Sequence, residues 1–155
     1  MLISIQTRSI ELNLNTKKYS YINESIEIIK EYELYKQKPY TLFGKKYVGY
    51  GHLTNNNDHL TELQADSLLR KDYFSNYSQL DTSISERYKV LLTMLAYNIG
   101  ITKVKKSKLY KLVINKHGNT EIYKEYIRYK YISETIHAKL LERRIKEFRV
   151  INVLL

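Results

Sequence analysis

ELYKQKPYTLFGKKYVGYGH, residues 33–52, decides the fold of this 155-residue chain. The stretch begins at the end of a helical pattern and passes Pro39, which cannot continue a helix and favours extended backbone before it. Two short strand-like runs then flank Gly44, and Gly49 and Gly51 give backbone freedom where the chain must pass close to another group. The pattern therefore predicts a helix end followed by a tight β-hairpin.

Glu33 lies on the apolar stripe of the helix that precedes the hairpin. At about 100° per residue it falls within about 20° of Ile22, between the directions of Ile26 and Ile29. A carboxylate on a face that packs against the protein loses hydration, which favours its protonated form and suits it to proton donation. The alternative is that the last turn frays and Glu33 simply reaches water.

A Glu at a helix end, a Tyr seven residues later and a small hairpin closing in residues 48–52, VGYGH, resemble the phage-type lysozymes, the muramidases of the T-even and lambdoid kind. By this resemblance Glu33 matches the general acid of the family and Tyr40 its cleft-side tyrosine. Two positions depart from the family pattern: Leu42 stands where the catalytic Asp is expected, and Tyr47 stands where the catalytic Thr is expected. The hairpin is also one residue short, and no acidic residue occurs within it.

The resemblance continues to about residue 151 through three further motifs. They are Asn98-Ile99-Gly100, then Ser107-Lys108-Leu109 with Leu112, and finally the L-x-x-R-R-x-x-E pattern of Leu140, Arg143, Arg144 and Glu147. Each motif is weak alone, whereas their order and spacing together are specific. The resemblance implies that Asn98 and Lys108 bind substrate.

The resemblance also implies two ion pairs. Arg143 sits where the family places an arginine beside the catalytic Glu, so it is expected to hold Glu33 in one rotamer. The alternative interpretation of Arg143 is a solvated charge on a helix face. His52 and Asp72 are expected to form a buried pair that ties the hairpin to the second helix, an architectural role rather than a catalytic one.

The composition narrows the class of protein. Cysteine is absent, the histidines show no paired ligand spacing, and neither a metal nor a cofactor is expected. No apolar run reaches membrane-spanning length, and the N-terminus lacks the order of a signal peptide. Of the net charge of +10, residues 102–155 carry 14 basic and 5 acidic side chains, whereas residues 1–101 carry 12 and 11. This excess favours an anionic polymer as partner, although an AT-rich coding bias towards Lys is an alternative.

Residues 1–19 are interpreted as an N-terminal extension, and residues 20–155 as a lysozyme-like domain. Apolar and polar residues alternate in the extension, which predicts one or two short strands. Such a segment can cover the flank of the domain or attach to a virion protein; a loosely ordered extension is equally compatible with the sequence.

The remaining pattern predicts an α+β domain, mostly helical, with two lobes and one small sheet near the front. Capping boxes at residues 61–64 and 83–86 are each expected to open a helix, and the helix after the second box is apolar nearly all round. The predicted helices run over about 23–35, 61–77, 90–99, 105–115, 120–131 and 134–150.

Three functions remain open at this point. In the first, the chain is a peptidoglycan-degrading muramidase that cleaves the N-acetylmuramic acid to N-acetylglucosamine β-1,4 bond, with water positioned by Thr41 or Tyr47. In the second, it is a single-carboxylate transglycosylase that leaves an anhydro product. In the third, it is an inactive wall-binding or virion structural protein. The resemblance implies a phage-encoded monomer that acts on bacterial peptidoglycan after host cytoplasmic synthesis or within a virion. Nucleic acid is disfavoured because no recognised motif frames the basic helix near Lys108.

Overall fold

The computed structural model describes residues 2–132 and 135–152. Helix α1 (Leu2–Glu33) leads into an antiparallel sheet of β1 (Lys36–Leu42), β2 (Lys45–Gly49) and β3 (His52–Leu53), in that spatial order. The helical part follows: α2 (Glu62–Ser78), α3 (Glu86–Ile99), α4 (Ile101–Lys106), α5 (Lys108–Ile114), α6 (Asn119–Tyr126) and α7 (Ala138–Val150). A 3-10 turn (Ile127–Lys130) and a small hairpin of β4 (Tyr131–Ile132) and β5 (Thr135–Ile136) connect α6 to α7. The predicted fold class is confirmed.

Helix α3 is the central core element, as its apolar sequence predicts. All its side chains over 88–96 are buried, and it packs against α1, α2, α4 and α7. Ile26 and Ile29 of α1 are fully buried in the same core. The apolar stripe of α1 therefore lies where the sequence places it, and Glu33 follows on that stripe.

Helix α1 begins far earlier than predicted. The strands expected within residues 1–19 are wrong, because these residues continue as helix from Leu2. The alternation that favoured strands also places Ile3, Ile10 and Leu14 at helical spacings of seven and four. No glycine or proline occurs between residues 2 and 33 to stop the helix.

The end of α1 is set by one unusual backbone conformation. Leu34 has φ 54°, and its N–H donates to the carbonyl of Lys30 over 3.1 Å. This left-handed residue ends the helix at Glu33, two residues before the predicted end near Tyr35. The hairpin that follows turns through Phe43 and Gly44, both at positive φ, as a two-residue hairpin loop requires.

An ion-pair cluster joins α1 to α2. Lys30 binds the carboxylate of Asp66, and Arg70 Nε donates to the same carboxylate over 2.7 Å. Burial alone raises the pKa of Asp66, but the two cations outweigh it and hold that pKa below its ordinary value. Asp66 is therefore charged at neutral pH and stabilises the contact between the two helices.

The two predicted capping boxes have different outcomes. Thr61 caps α2 in a complete box with Gln64, which confirms the first. The second box is wrong: Ser85 is the N-cap of α3 and makes no side-chain cap bond, whereas the N–H of Ser83 donates to Asp81 Oδ1 over 2.8 Å. This Asx turn at Asp81 satisfies the N–H of Ser83, which is one of the two backbone groups that the box would have satisfied.

The C-terminal helices are shorter than predicted. The helix expected over 105–115 is two helices, α4 and α5, because Ser107 is extended and its Oγ caps α5 by accepting from the N–H of Tyr110. The helix expected over 120–131 ends as α helix at Tyr126 and continues as the 3-10 turn. The helix expected over 134–150 begins only at Ala138, after β5; residue 134 lies outside the described residues. None of the helices in the described ranges combines the length and apolar character that a bilayer crossing needs.

Candidate active site

Glu33 ends α1 with its carboxylate between Arg143 and Gly51. Arg143 Nη1 on α7 donates to Glu33 Oε1 over 2.8 Å. On the other side lies Gly51 at φ 82°, where an added Cβ would stand 3.4 Å from Glu33 Oε2. The side chain of Glu33 keeps 23% exposure, so its carboxylate is fixed yet open to small molecules.

Arg143 belongs to a buried charge network on α7. Its Nε donates to Glu147 Oε1 over 2.9 Å, and Tyr126 donates its hydroxyl to Glu147 Oε2 over 2.6 Å. Arg144 Nη1 lies 3.0 Å from Glu147 Oε2. Burial alone lowers the pKa of Arg143, but the charges of Glu147 and Glu33 outweigh it and raise that pKa above its ordinary value. The guanidinium that faces Glu33 therefore stays charged.

One face of the hairpin carries the residues next to Glu33. Tyr40 pairs with Tyr47, and Leu42 pairs with Lys45, so these four side chains share a face of the sheet. The rings of Tyr40 and Tyr47 lie 5.9 Å apart at 32°. Burial first, and then the charge of Glu33, raise the pKa of the Tyr40 hydroxyl. Tyr40 therefore interacts with both the carboxylate and the Tyr47 ring.

A cavity of about 840 Å³ lies between this face of the hairpin and the helical lobe. Tyr47 and Lys45 line it from the hairpin, and the other wall comes from the α3–α4 junction, the 3-10 turn and α7. Glu33 is not one of the described residues that line this cavity; it neighbours Tyr40, whose ring lies 5.9 Å from that of Tyr47. The carboxylate of Glu33 therefore lies beside this cavity and not in its lining.

Residues 30–147 match the sequence model of the family described as phage lysozyme. The chain belongs to the phage lysozyme family. No curated protein matches its sequence.

Solved structures of related proteins share the fold of this phage lysozyme family member. The muramidase domain of SpmX from Asticaccaulis excentricus aligns with TM-score 0.70 and 24% identity, over 82% of this chain and 93% of that one. The endolysin from Escherichia coli O157:H7 phage FAHEc1 aligns with TM-score 0.69 and 18% identity, over 85% and 92%. The active form of the P1 phage endolysin Lyz aligns with TM-score 0.69 and 16% identity, over 85% of both chains.

Leu42, the position at which the resemblance implies a missing second carboxylate, lies on the same face of the sheet as Tyr40 and Tyr47. Leu42 is 48% exposed and opposes Lys45 across the strand pair. Thr41, suggested as a group that positions water, pairs with Lys46 and therefore faces the other side of the sheet, away from Tyr47. A one-residue step along a strand reverses the direction of the side chain.

The two residues expected to bind substrate lie in different places. Asn98 lines the cavity, and its Oδ1 accepts from Arg144 Nη2 over 3.2 Å. Lys108 is not one of the described residues that line it; its Nζ lies 3.6 Å from Glu125 Oε2. The break at Ser107 starts a new helix at Lys108, which changes the direction that the predicted single helix would have given it.

His52 and Asp72 contact each other, with 2.7 Å between Nδ1 and Oδ2. Their side chains are 27% and 32% exposed, so the expected burial of the pair is wrong. The contact still ties β3 to α2, as an architectural pair should. Within the described ranges, no group of histidine and acidic side chains is arranged to hold a metal ion.

Sequence reasoning missed several residues of the cleft wall. Tyr97 donates its hydroxyl to the carbonyl of Tyr50 over 2.7 Å and lines the cavity with Lys45, Lys103 and Arg128. The hairpin register alone would have placed Lys45 opposite Leu42. The other two cations belong to the basic last third of the chain, but their shared wall depends on tertiary packing.

Proposed function

We propose that this chain binds peptidoglycan glycan strands in its cleft and cleaves the β-1,4 bond between N-acetylmuramic acid and N-acetylglucosamine, with Glu33 as the acid. The observation that carries the proposal is the carboxylate of Glu33, held at 2.8 Å by Arg143 Nη1 and bordered by Gly51. A fixed, partly exposed carboxylate beside a glycan-sized cleft is the arrangement that proton donation to a leaving oxygen needs.

The cleft face of the hairpin bears on the mechanism. Glycoside hydrolysis ordinarily uses two carboxylates on opposite sides of the scissile bond, and the hairpin presents Leu42 and Tyr47 instead. We therefore favour a single-carboxylate route. Glu33 gives its proton to the glycosidic oxygen, the C6 hydroxyl of the muramic acid attacks C1, and the proton of that hydroxyl passes to Glu33. The bond to the leaving sugar breaks, a 1,6-anhydro ring forms, and no water is consumed.

The second candidate is a wall-binding protein without catalysis. The specific observation in its favour is the same substitution, an exposed leucine beside the paired rings of Tyr40 and Tyr47. Aromatic faces and an apolar side chain suit sugar binding without assisting its hydrolysis. In this case residues 1–19, which precede the family match, serve as the attachment to a virion protein.

Both candidates act at the bacterial cell wall, and we propose that the protein is phage-encoded and monomeric. The family membership and the net charge of +10 support the cell-wall location, because positive charge attracts the anionic polymers of the wall. Sedimentation of the purified protein at several concentrations tests the monomeric state.

The test is the loss of turbidity of purified peptidoglycan, followed by mass analysis of the released fragments. The proposal expects slow clearing by the wild type, fragments lighter by one water than hydrolysis products, and no clearing by Glu33→Gln. Hydrolysis products that retain the water would reject the single-carboxylate route. Co-sedimentation with peptidoglycan in the absence of any cleavage would select the binding protein.

A further inference from the structure

Three cations reach into the cleft from three separate elements. Lys45 comes from the start of β2, Lys103 from α4 and Arg128 from the 3-10 turn, and all three line the cavity. They are exposed. No acidic side chain is one of the described residues that line this cavity. The two walls of the cleft therefore present positive charge to whatever occupies it.

These cations are poorly neutralised by the protein itself. Lys45 and Lys103 form no ion pair within residues 2–132 and 135–152, and Arg128 Nη1 lies 3.7 Å from Glu125 Oε2, a long contact for an arginine whose side chain is 68% exposed. Like charges across an open groove repel each other and raise the local concentration of anions. A ligand that brings negative charge into the groove is therefore favoured over a neutral one.

Aromatic rings line the same cavity as the three cations. Tyr47 projects from the hairpin, and Tyr129 stands next to Arg128 on the opposite wall. Rings of this kind pack against the apolar faces of sugars, whereas the cations need anionic groups projecting from those sugars. The combination fits a polymer with a neutral sugar backbone and negative substituents.

We propose that Lys45, Lys103 and Arg128 make the cleft selective for glycan strands whose stem peptides keep free carboxylates. This inference rests on the proposed function and specifies its substrate. In peptidoglycan the lactyl carboxyl of muramic acid is taken up by the amide bond to the stem peptide. The remaining negative charge is then carried by stem-peptide carboxylates, and amidation removes it. The three cations distinguish the two forms by charge alone.

The experiment measures binding, so that it does not depend on cleavage. The probes are soluble tetrasaccharides carrying stem tripeptides, in one form with free carboxylates and in the other with the same carboxylates amidated. Affinities are measured by titration calorimetry in the Glu33→Gln background, where the probe is not consumed. The test variant carries Lys45→Gln, Lys103→Gln and Arg128→Gln together.

The control variant removes the same charge elsewhere on the surface. It carries substitutions of three exposed lysines on α2, α5 and α6, none of them a lining residue of the cleft. The substitutions are Lys71→Gln, Lys111→Gln and Lys124→Gln.

We expect the background protein to bind the free-carboxylate probe about tenfold more tightly than the amidated probe, since exposed ion pairs contribute modestly and three act together. The test variant should lose this preference while keeping its affinity for the amidated probe, and the control variant should keep the preference. Raising the ionic strength from about 0.05 to 0.5 M should also reduce the preference.

Four results would overturn the inference. Equal affinity for the two probes in the background protein would remove the selectivity itself, while leaving glycan binding intact. A control variant as impaired as the test variant would assign the effect to net charge. Tighter binding of a phosphodiester wall polymer or of single-stranded DNA, lost in the test variant, would assign the cations to another polyanion. Failure to bind any peptidoglycan probe would instead reject the proposed function, and the substrate inference with it.

Discussion

Restoring a carboxylate at residue 42 is the sharpest perturbation that the structure offers. Leu42 is half-exposed on the cleft face of β1, directly opposite Lys45. Leu42→Asp therefore loses little buried apolar area and gains a cross-strand partner of opposite charge, worth about 0.2–1 kcal/mol. Tyr47→Thr is added to make room for a water molecule, at a cost of about 0.5–1.5 kcal/mol for the lost pairing with Tyr40. The double variant should remain folded.

The expected gain is in peptidoglycan cleavage. General-base assistance contributes about 10² to 10⁴ in rate, about 3 to 5 kcal/mol off the barrier. The hairpin is one residue shorter than the family pattern, and Lys45 competes for the new carboxylate, so we expect only part of this gain. The double variant should clear peptidoglycan at least tenfold faster than wild type, with products that have gained a water.

The matched control is Thr41→Asp, together with Tyr47→Thr. It introduces the same charge one residue earlier on the same strand, but on the opposite face of the sheet. This control should not accelerate cleavage. Acceleration by the control to the level of the Leu42→Asp variant would refute the assignment of the cleft face. A wild type as fast as the double variant would show that the second carboxylate was never needed, and inert variants that still bind peptidoglycan would favour the binding protein.

Further predictions concern stability and are measured by urea unfolding. Arg143→Gln leaves the carboxylates of Glu33 and Glu147 without their buried guanidinium partner and should cost about 2 to 4 kcal/mol. The control Arg149→Gln, on the exposed face of the same helix, should cost under about 0.5 kcal/mol. Equal losses in the two variants would contradict the buried charge network on α7. Asp66→Asn should cost about 1 to 2 kcal/mol at pH 7. Because the folded pKa of Asp66 is lowered, its contribution is complete above about pH 4 and lost as the pH falls through the folded pKa, so a difference that persists at pH 2 would be contrary to expectation. Gly51→Ala should cost about 1 to 2 kcal/mol because φ is 82° there. Gly118→Ala, at an ordinary φ with open space around it, should cost less, about 0.5 kcal/mol, because Gly118 is only the N-cap of α6; similar losses would argue against backbone strain.

Local signals in the sequence were sufficient for the hairpin and for the start of α2. Pro39 and Gly44 act within a few residues of themselves, and the box at Thr61 satisfies neighbouring N–H groups, so neither depends on distant parts of the chain. Signals that are compatible with two structures failed. Alternation in the first 19 residues fits both a strand and a helix, and the absence of a helix-breaking residue decided between them. In the same way, the continuous apolar spacing over 105–115 predicted one helix, but Ser107 divides this segment into α4 and α5.

The candidate site was predictable only in part, for the same reason. Glu33 could be singled out because it lies on the same helix as the stripe that marks it. Its contact with Arg143 was reached through the resemblance to a family, since no local pattern links residues 110 positions apart. The burial of the His52–Asp72 pair was overestimated. The exposure of a side chain depends on how closely neighbouring segments pack over it, and the positions of two residues in the sequence do not give that information.

The link between α1 and α7 also makes the site dependent on the order in which the chain is synthesised. The carboxylate of Glu33 is complete early, but the guanidinium that holds it lies 110 residues later. Closing so long a loop costs conformational entropy that only tertiary packing offsets. A nascent or truncated chain that ends before α7 therefore carries the acid without its clamp. Formation of this one contact therefore reports that translation has passed α7.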